Sequence, residues 1–115
     1  MILVVDDDRS ILRLLGRLLE REGFQVLTAH DGEEALTLAE EHHPDLVLSD
    51  VSMPKLDGVQ LAQELRERQG NDRPKLVLMS AFNGAGADVA DAFIPKPFDV
   101  SHLLTTVDHL AHSPN

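Results

Sequence analysis

Three aspartates, a serine and a lysine carry the reactive chemistry legible in this chain. Asp6 and Asp7 stand in 'VVDDDRS', where a first apolar run ends, and Asp50 closes a second, 'DLVLSD'. Ser80 ends the run 'KLVLMS', and Lys96 follows 'AFIP'. An Asp run after a strand ordinarily caps the next helix, and Asp8, directly before the helical pattern that begins at Arg9, fits that duty. Asp50 needs another explanation, because solvation does not account for an acid at the end of a continuously apolar strand. Carboxylates brought within a few ångströms repel one another, each close pair by about 4 kcal/mol at an effective dielectric of about 20. A domain stable by roughly 5 to 15 kcal/mol keeps such a cluster only with a remedy: protonation, a lysine or a divalent cation. Mg2+ suits best, because it binds through one or two carboxylates, keeps several waters and accepts phosphoryl oxygens as further ligands. Carboxylate nucleophile, metal ion, lysine and hydroxyl donor are together what phosphoryl transfer to an aspartate uses. Alone, Lys96 reads as a solvated loop lysine and Ser80 as a strand-end residue; their arrival beside the acids makes the set specific.

Convergence of these residues requires a particular arrangement of elements. The apolar runs at 2–5, 24–29, 45–49, 75–80 and 92–95 are continuous rather than alternating, which predicts strands covered on both faces. Between them lie helical patterns. In residues 9–22, Ile11, Leu12, Leu14, Leu15, Leu18 and Leu19 share a broad face opposite Arg13, Arg17, Glu20 and Arg21, and Gly23 stops the run. Asp31 with Glu34 predicts a capping box for a helix over 31–43, and Pro44 prevents its continuation. Asp57 with Gln60 predicts a similar start for 58–69, and Asp99 caps a last helix to about residue 112. Strands alternating with helices argue a parallel sheet with right-handed crossovers. The expectation is a flavodoxin-like (βα)5 fold of order 2-1-3-4-5, whose switch in strand order brings the carboxyl ends of strands one and three together and so unites Asp6, Asp7 and Asp50.

Composition removes several classes of function. At 115 residues the chain reads as one domain, 1–115, and no apolar run approaches the length needed to cross a bilayer. Met1 leads straight into an apolar strand without a basic segment, unlike a signal peptide. The absence of cysteine excludes disulfides and thiol chemistry and fits the cytoplasm. A net charge of −10 argues against nucleic acid or anionic membrane as primary partners.

The segments 'ILVVDDD', 'PDLVLSDVSMPKLDG', 'LVLMSA' and 'FIPKPF', in that order, resemble the receiver domain of two-component response regulators over essentially the whole chain. The resemblance implies that Asp50 is the phospho-acceptor. It makes Asp7 a Mg2+ (or Mn2+) ligand, Asp6 a ligand acting mostly through metal-bound water, and the main-chain carbonyl of Ser52 a third protein ligand. Ser80 becomes the hydroxyl that swings onto the phosphoryl group, Lys96 its ion-pair partner, and Phe93 the aromatic switch. Ser52 and Phe82 occupy positions that tune the lifetime of the phosphoryl group, and the Lys96–Pro97 peptide is commonly cis in this family. The implied partners are a sensor histidine kinase or a histidine phosphotransfer protein, with a homodimer as a further state and no nucleic acid contacted by the domain. The chain is expected to be either a stand-alone receiver or an excised fragment, cytoplasmic, and not an enzyme beyond its own phosphoryl transfer and dephosphorylation.

Two other readings compete. The 'DDD' run contains an Asp-x-Asp, as in haloacid-dehalogenase-like phosphatases, where Asp6 would be the nucleophile; such an enzyme is expected to carry further acids after the fourth strand, where this sequence has 'AFNGAGAD' with one, and a cap domain, which is missing. A receiver-like interaction module that is never phosphorylated would leave the self-repelling cluster without purpose. One departure from the family pattern stands out: only eleven residues, 81–91, join the fourth and fifth strands, and two are glycines. A parallel crossover usually needs a dozen or more. The fourth helix is therefore expected to be shortened or missing, with a mobile loop around Asn83 to Ala87.

Overall fold

The computed structural model describes residues 1–81 and 88–112. In chain order the elements are β1 (Ile2–Val5), α1 (Arg9–Arg21), β2 (Val26–Ala29), α2 (Gly32–His42), β3 (Leu46–Asp50), α3 (Gly58–Gln69), a short 3-10 turn (Gly70–Asp72), β4 (Lys75–Ser80), β5 (Ala92–Pro95) and α4 (Val100–Ala111). All neighbouring strands pair in parallel, in the order β2-β1-β3-β4-β5. This is the doubly wound flavodoxin-like sheet expected from the alternation of elements.

Two cores form, one on each face, and the strand period of two assigns residues to them. Ile2, Val4, Leu46, Leu48, Val77 and Met79 pack with Leu12, Leu15 and Leu19 of α1 and Leu103 and Val107 of α4. Leu3, Val5, Val47, Leu76 and Leu78 pack instead with Ala35 and Ala39 of α2 and Leu61, Ala62 and Leu65 of α3. Every residue of β1 and β3 is buried, which is why their sequences carry no alternation. Each such side chain contributes about 1.5–3 kcal/mol by leaving water, so the central strands that end in the acids are the best anchored part of the sheet.

Local chemistry sets the helix boundaries. The Asp8 carboxylate accepts from the N–H groups of Ser10 and Ile11 at 2.8 and 3.3 Å. At α3 the predicted capping box is complete, with Asp57 and Gln60 bonding reciprocally. At α2 it is not: Asp31 accepts from Glu34 N–H, but the Glu34 carboxylate reaches one residue further back, accepting from His30 N–H at 2.9 Å and meeting His30 Nδ1 at 2.8 Å. A nearby imidazole that offers a second contact has drawn the carboxylate away from its usual partner. Strand β2 begins at Val26 rather than 24, because Phe24 N–H donates to Leu19 O and belongs to the end of α1, where Gly23 turns the chain at φ 95°.

Among the described residues there are four α-helices, none of them between β4 and β5. That fits the expected loss or shortening of the fourth helix; Phe82 and the loop expected around Asn83 to Ala87 lie outside the described residues. Residues 88–91 are held firmly. Arg66 Nη1 donates to Asp88 O at 3.1 Å, and Asp91 accepts from Arg73 Nη1 and Nη2 at 2.9 and 3.2 Å and from Leu76 N–H at 2.7 Å. The Asp91 N–H donates in turn to Leu76 O. Burial works to raise the Asp91 pKa, but the Arg73 side chain, the Leu76 N–H and nearby cationic charge outweigh it and leave the carboxyl below its usual range.

Candidate functional site

Parallel register brings the reactive residues to one edge. Val5 pairs with Ser49, Asp50 with Met79, and Ser80 with Pro95, so Asp6, Asp50, Ser80 and Lys96 all sit at the carboxyl ends of their strands. The crevice lies where strand order reverses between β1 and β3, the usual ligand position of an open parallel sheet. Asp6, Asp7 and Asp50 each place a carboxylate oxygen within 4.8 Å of the others. Asp6 and Asp50 are buried and Asp7 is exposed. Lys96 Nζ lies 3.3 Å from Asp50 Oδ1 and 3.6 Å from Asp6 Oδ2. The Lys96–Pro97 peptide is cis, and Lys96 N–H donates to Ser80 O at 2.8 Å, which ties the lysine's backbone to β4.

The acids are not equivalent. Burial pushes the Asp6 pKa up; the Asp8 N–H, which donates to Oδ1 at 2.9 Å, and the Lys96 charge act against this, while Asp50 and Asp7 add to it. Asp6 Oδ2 is buried without a hydrogen-bond partner among the described residues. An orphaned carboxylate oxygen beside two further acids is the donor set a hard divalent cation takes. One lysine shared between two carboxylates leaves the cluster short of positive charge, and the residues present fit such an ion.

The loop after Asp50 is fixed from outside the acid cluster. Gly58 N–H donates to Val51 O at 2.9 Å, and the Gly58 Cα lies so close to the Asp50 main chain that a Cβ there would stand 2.9 Å from Val51 Cα and 3.1 Å from the Asp50 carbonyl carbon. Gly32, at the start of α2, approaches the backbone of Leu56 equally closely. Lys55 takes a left-handed conformation at φ 67°, and its Nζ is 3.7 Å from Asp31 Oδ2. Two glycines and an ion pair thus clamp residues 51–57 between the helix starts of α2 and α3. These contacts escaped the sequence reading, which placed residue 58 only at the start of a helix. The Asp-Gly pair at a helix start was the available signal, but close backbone approach depends on a neighbouring element that a local motif does not show.

A family model described as the response regulator receiver domain matches residues 2–108. The chain belongs to this family. Among curated relatives, the response regulator MprA of Mycobacterium avium is 44% identical over 108 residues, covering 90% of this chain and 47% of its own length. The chain therefore spans about half the length of the curated relatives it matches. Among solved structures, the receiver domain of the Francisella response regulator 1452 superposes with a TM-score of 0.88 at 31% identity, covering 96% of this chain and 94% of that one. Response regulator TrrA of Thermotoga maritima, solved in complex with Mg2+ and BeF, gives 0.86 at 34% identity, covering 95% and 96%. The receiver is a signalling module, and nothing in these likenesses supports the haloacid-dehalogenase-like reading.

The remaining residues named from sequence fall around this receiver's acid edge. Ser80 is buried at the end of β4, one residue beyond the pairing partner of Asp50. Phe93 is half-buried on β5, paired with Leu78 and packed against the α2–α3 core. Ser52 is exposed just after Asp50.

Proposed function

We propose that Asp50 is the residue phosphorylated, and that its modification switches the β4–β5 edge between two states. The observation that carries this reading is the Asp50 carboxylate, buried at a strand end 3.3 Å from Lys96 Nζ and sharing its pocket with Asp6 and Asp7. An Asp50 oxygen attacks the phosphorus of a phosphohistidine on a sensor kinase or phosphotransfer protein; the P–N bond breaks, the electron pair leaves with the imidazole, and the product is an acyl phosphate. Lys96 holds charge opposite the transferring oxygens and Ser80 donates its hydroxyl to one of them. Asp6 and Asp7, with the Ser52 carbonyl, are the residues that would hold Mg2+, which when bound supplies the positive charge that offsets three carboxylates and a phosphoryl group.

The switch follows from geometry on β4 and β5. Ser80 and Lys96 are linked through Lys96 N–H and Ser80 O, so a pull on the Ser80 hydroxyl is transmitted to β5 and to Phe93, three residues before the lysine. Having no hydroxyl, Phe93 reports the state by burial alone. The cytoplasm, where histidine kinases present their phosphorylated residue, is the compartment this chemistry requires; no described helix is long and apolar enough to cross a membrane.

Amide spectra with and without Mg2+ and beryllofluoride test the proposal. Shifts centred on Asp50, Ser80, Phe93 and Lys96, absent in Asp50→Asn, are expected; an unchanged spectrum refutes it.

A further inference from the structure

Four of this acidic chain's ten Lys and Arg residues, Arg9, Arg13, Arg17 and Arg21, stand on one helix at intervals of four. Four residues of α-helix rise about 6 Å, so the row runs about 18 Å along α1. All four are exposed. None forms an ion pair among the described residues, whereas Lys55, Arg68, Arg73 and Lys96 all do. Like charges at this spacing destabilise a helix by a few tenths of a kcal/mol per pair, a cost that the helix dipole offsets only at Arg21 in the last turn.

The row borders a groove between α1 and the edge strand β2. A cavity of about 300 Å³ opens between Arg9, Thr28 and His30, with Glu34 at its margin. A second, of about 310 Å³, is lined by Arg13, Arg17, Glu20 and Val26, and Leu12 and Thr28 border both. Leu12, Ala29 and Val26 make the groove's floor, and its rim carries Arg9, Arg13 and Arg17 with two acids, Glu20 and Glu34, between and beside them. We propose that this groove docks an acidic α-helix of a protein partner. A helix carrying Glu or Asp at every fourth position repeats the same 6 Å spacing as the arginines, and its apolar flank covers Leu12 and Val26. Glu20 requires a neutral or basic residue opposite it and so sets the register.

Charge distribution selects a protein over other polyanions. Duplex DNA or an anionic bilayer extends its charge far beyond the row and meets the rest of a domain whose net charge is −10. A short acidic helix places its charge against the arginines alone.

The test uses the 15N-labelled full chain and a designed peptide of about 15 residues with Glu at every fourth position and Leu alongside. Expected are amide shifts at Arg13, Arg17 and Thr28, weakened as NaCl rises from about 50 to 300 mM. Arg13→Glu with Arg17→Glu is expected to weaken binding roughly tenfold or more, while Arg13→Lys with Arg17→Lys stays within about threefold. Because these side chains are exposed, unchanged labelling of Asp50 by acetyl phosphate verifies folding and separates this surface from the acid site. Equal binding of the charge-reversed variant, or of the peptide with Gln for Glu, overturns the proposal. So does a failure of the peptide to shift these amides. A 20-bp duplex (about two turns) or phosphatidylserine vesicles acting on the same amides at lower concentration than the peptide also overturns it.

Discussion

Gly58→Ala tests how the loop after Asp50 is held. The added methyl meets main chain, at 2.9 Å from Val51 Cα and 3.1 Å from the Asp50 carbonyl carbon, where ordinary contact begins at 3.4 Å. No rotamer change relieves a clash with backbone, so α3 or the end of β3 must move by roughly half an ångström or more. Overpacking of this kind costs about 1–3 kcal/mol. The Asp50 carbonyl oxygen stands closer still to the added methyl, which puts the cost at about 2–3 kcal/mol; helix propensity returns at most about 1 kcal/mol, leaving a net loss of roughly 1–2 kcal/mol or more and a fall in Tm of about 5–10 °C. Because the displaced atoms belong to Asp50, labelling by acetyl phosphate should slow as well, by about tenfold, given that 1 Å of misplacement is worth about a hundredfold. Gly16→Ala is the internal comparison: its Cβ would meet nothing nearer than Val26 Cγ1 at 4.0 Å, so it should stabilise by about 0.4–1 kcal/mol and leave the rate alone. Thermal unfolding and single-turnover labelling of both variants decide the matter. Gly58→Ala with wild-type Tm and rate would refute the reasoning.

Other expectations concern charge. Asp6→Asn removes one member of a crowded cluster, so without Mg2+ it should unfold about 1 kcal/mol later in urea than the parent. The same variant should lose most of the Mg2+-dependent stabilisation, which for the parent is about 2.7 kcal/mol at a hundredfold excess over Kd; urea melts with and without EDTA measure both. Asp91 has a folded pKa below its ordinary value of 3.8. Its contribution is therefore complete above that ordinary value and is lost as pH falls through the depressed one. Asp91→Asn should flatten the acid limb of the stability curve below about pH 4 and cost roughly 1–2 kcal/mol at pH 7, where Arg73 is left without its partner.

Strands and helix starts were legible in the sequence because each depends on local pattern, and strand order with the convergence of Asp6, Asp50, Ser80 and Lys96 followed from the topology that alternating strands and helices imply. Buried strands such as 'ILVV' and 'LVLS' reveal themselves by unbroken apolar runs, and an acid closing one of them is conspicuous. Contacts that depend on a second element were not legible. Nothing in 'DGEEA' indicates that Gly32 must admit the Leu56 backbone, or that Glu34 prefers His30 to Asp31. The Arg73–Asp91 pair joins residues eighteen apart that share only the fold. The eleven-residue connection was readable as too short for an ordinary crossover, whereas its anchoring by Arg66, Arg73 and Leu76 rests on partners distant in sequence.

Phosphorylation of Asp50 is tested most directly by intact-protein and peptide mass spectrometry after treatment with acetyl phosphate and Mg2+. One phosphoryl group on the peptide containing Asp50, absent from Asp50→Asn and absent when EDTA replaces Mg2+, is the result expected. A phosphoryl group on Asp6 that survives Asp50→Asn would contradict the assignment.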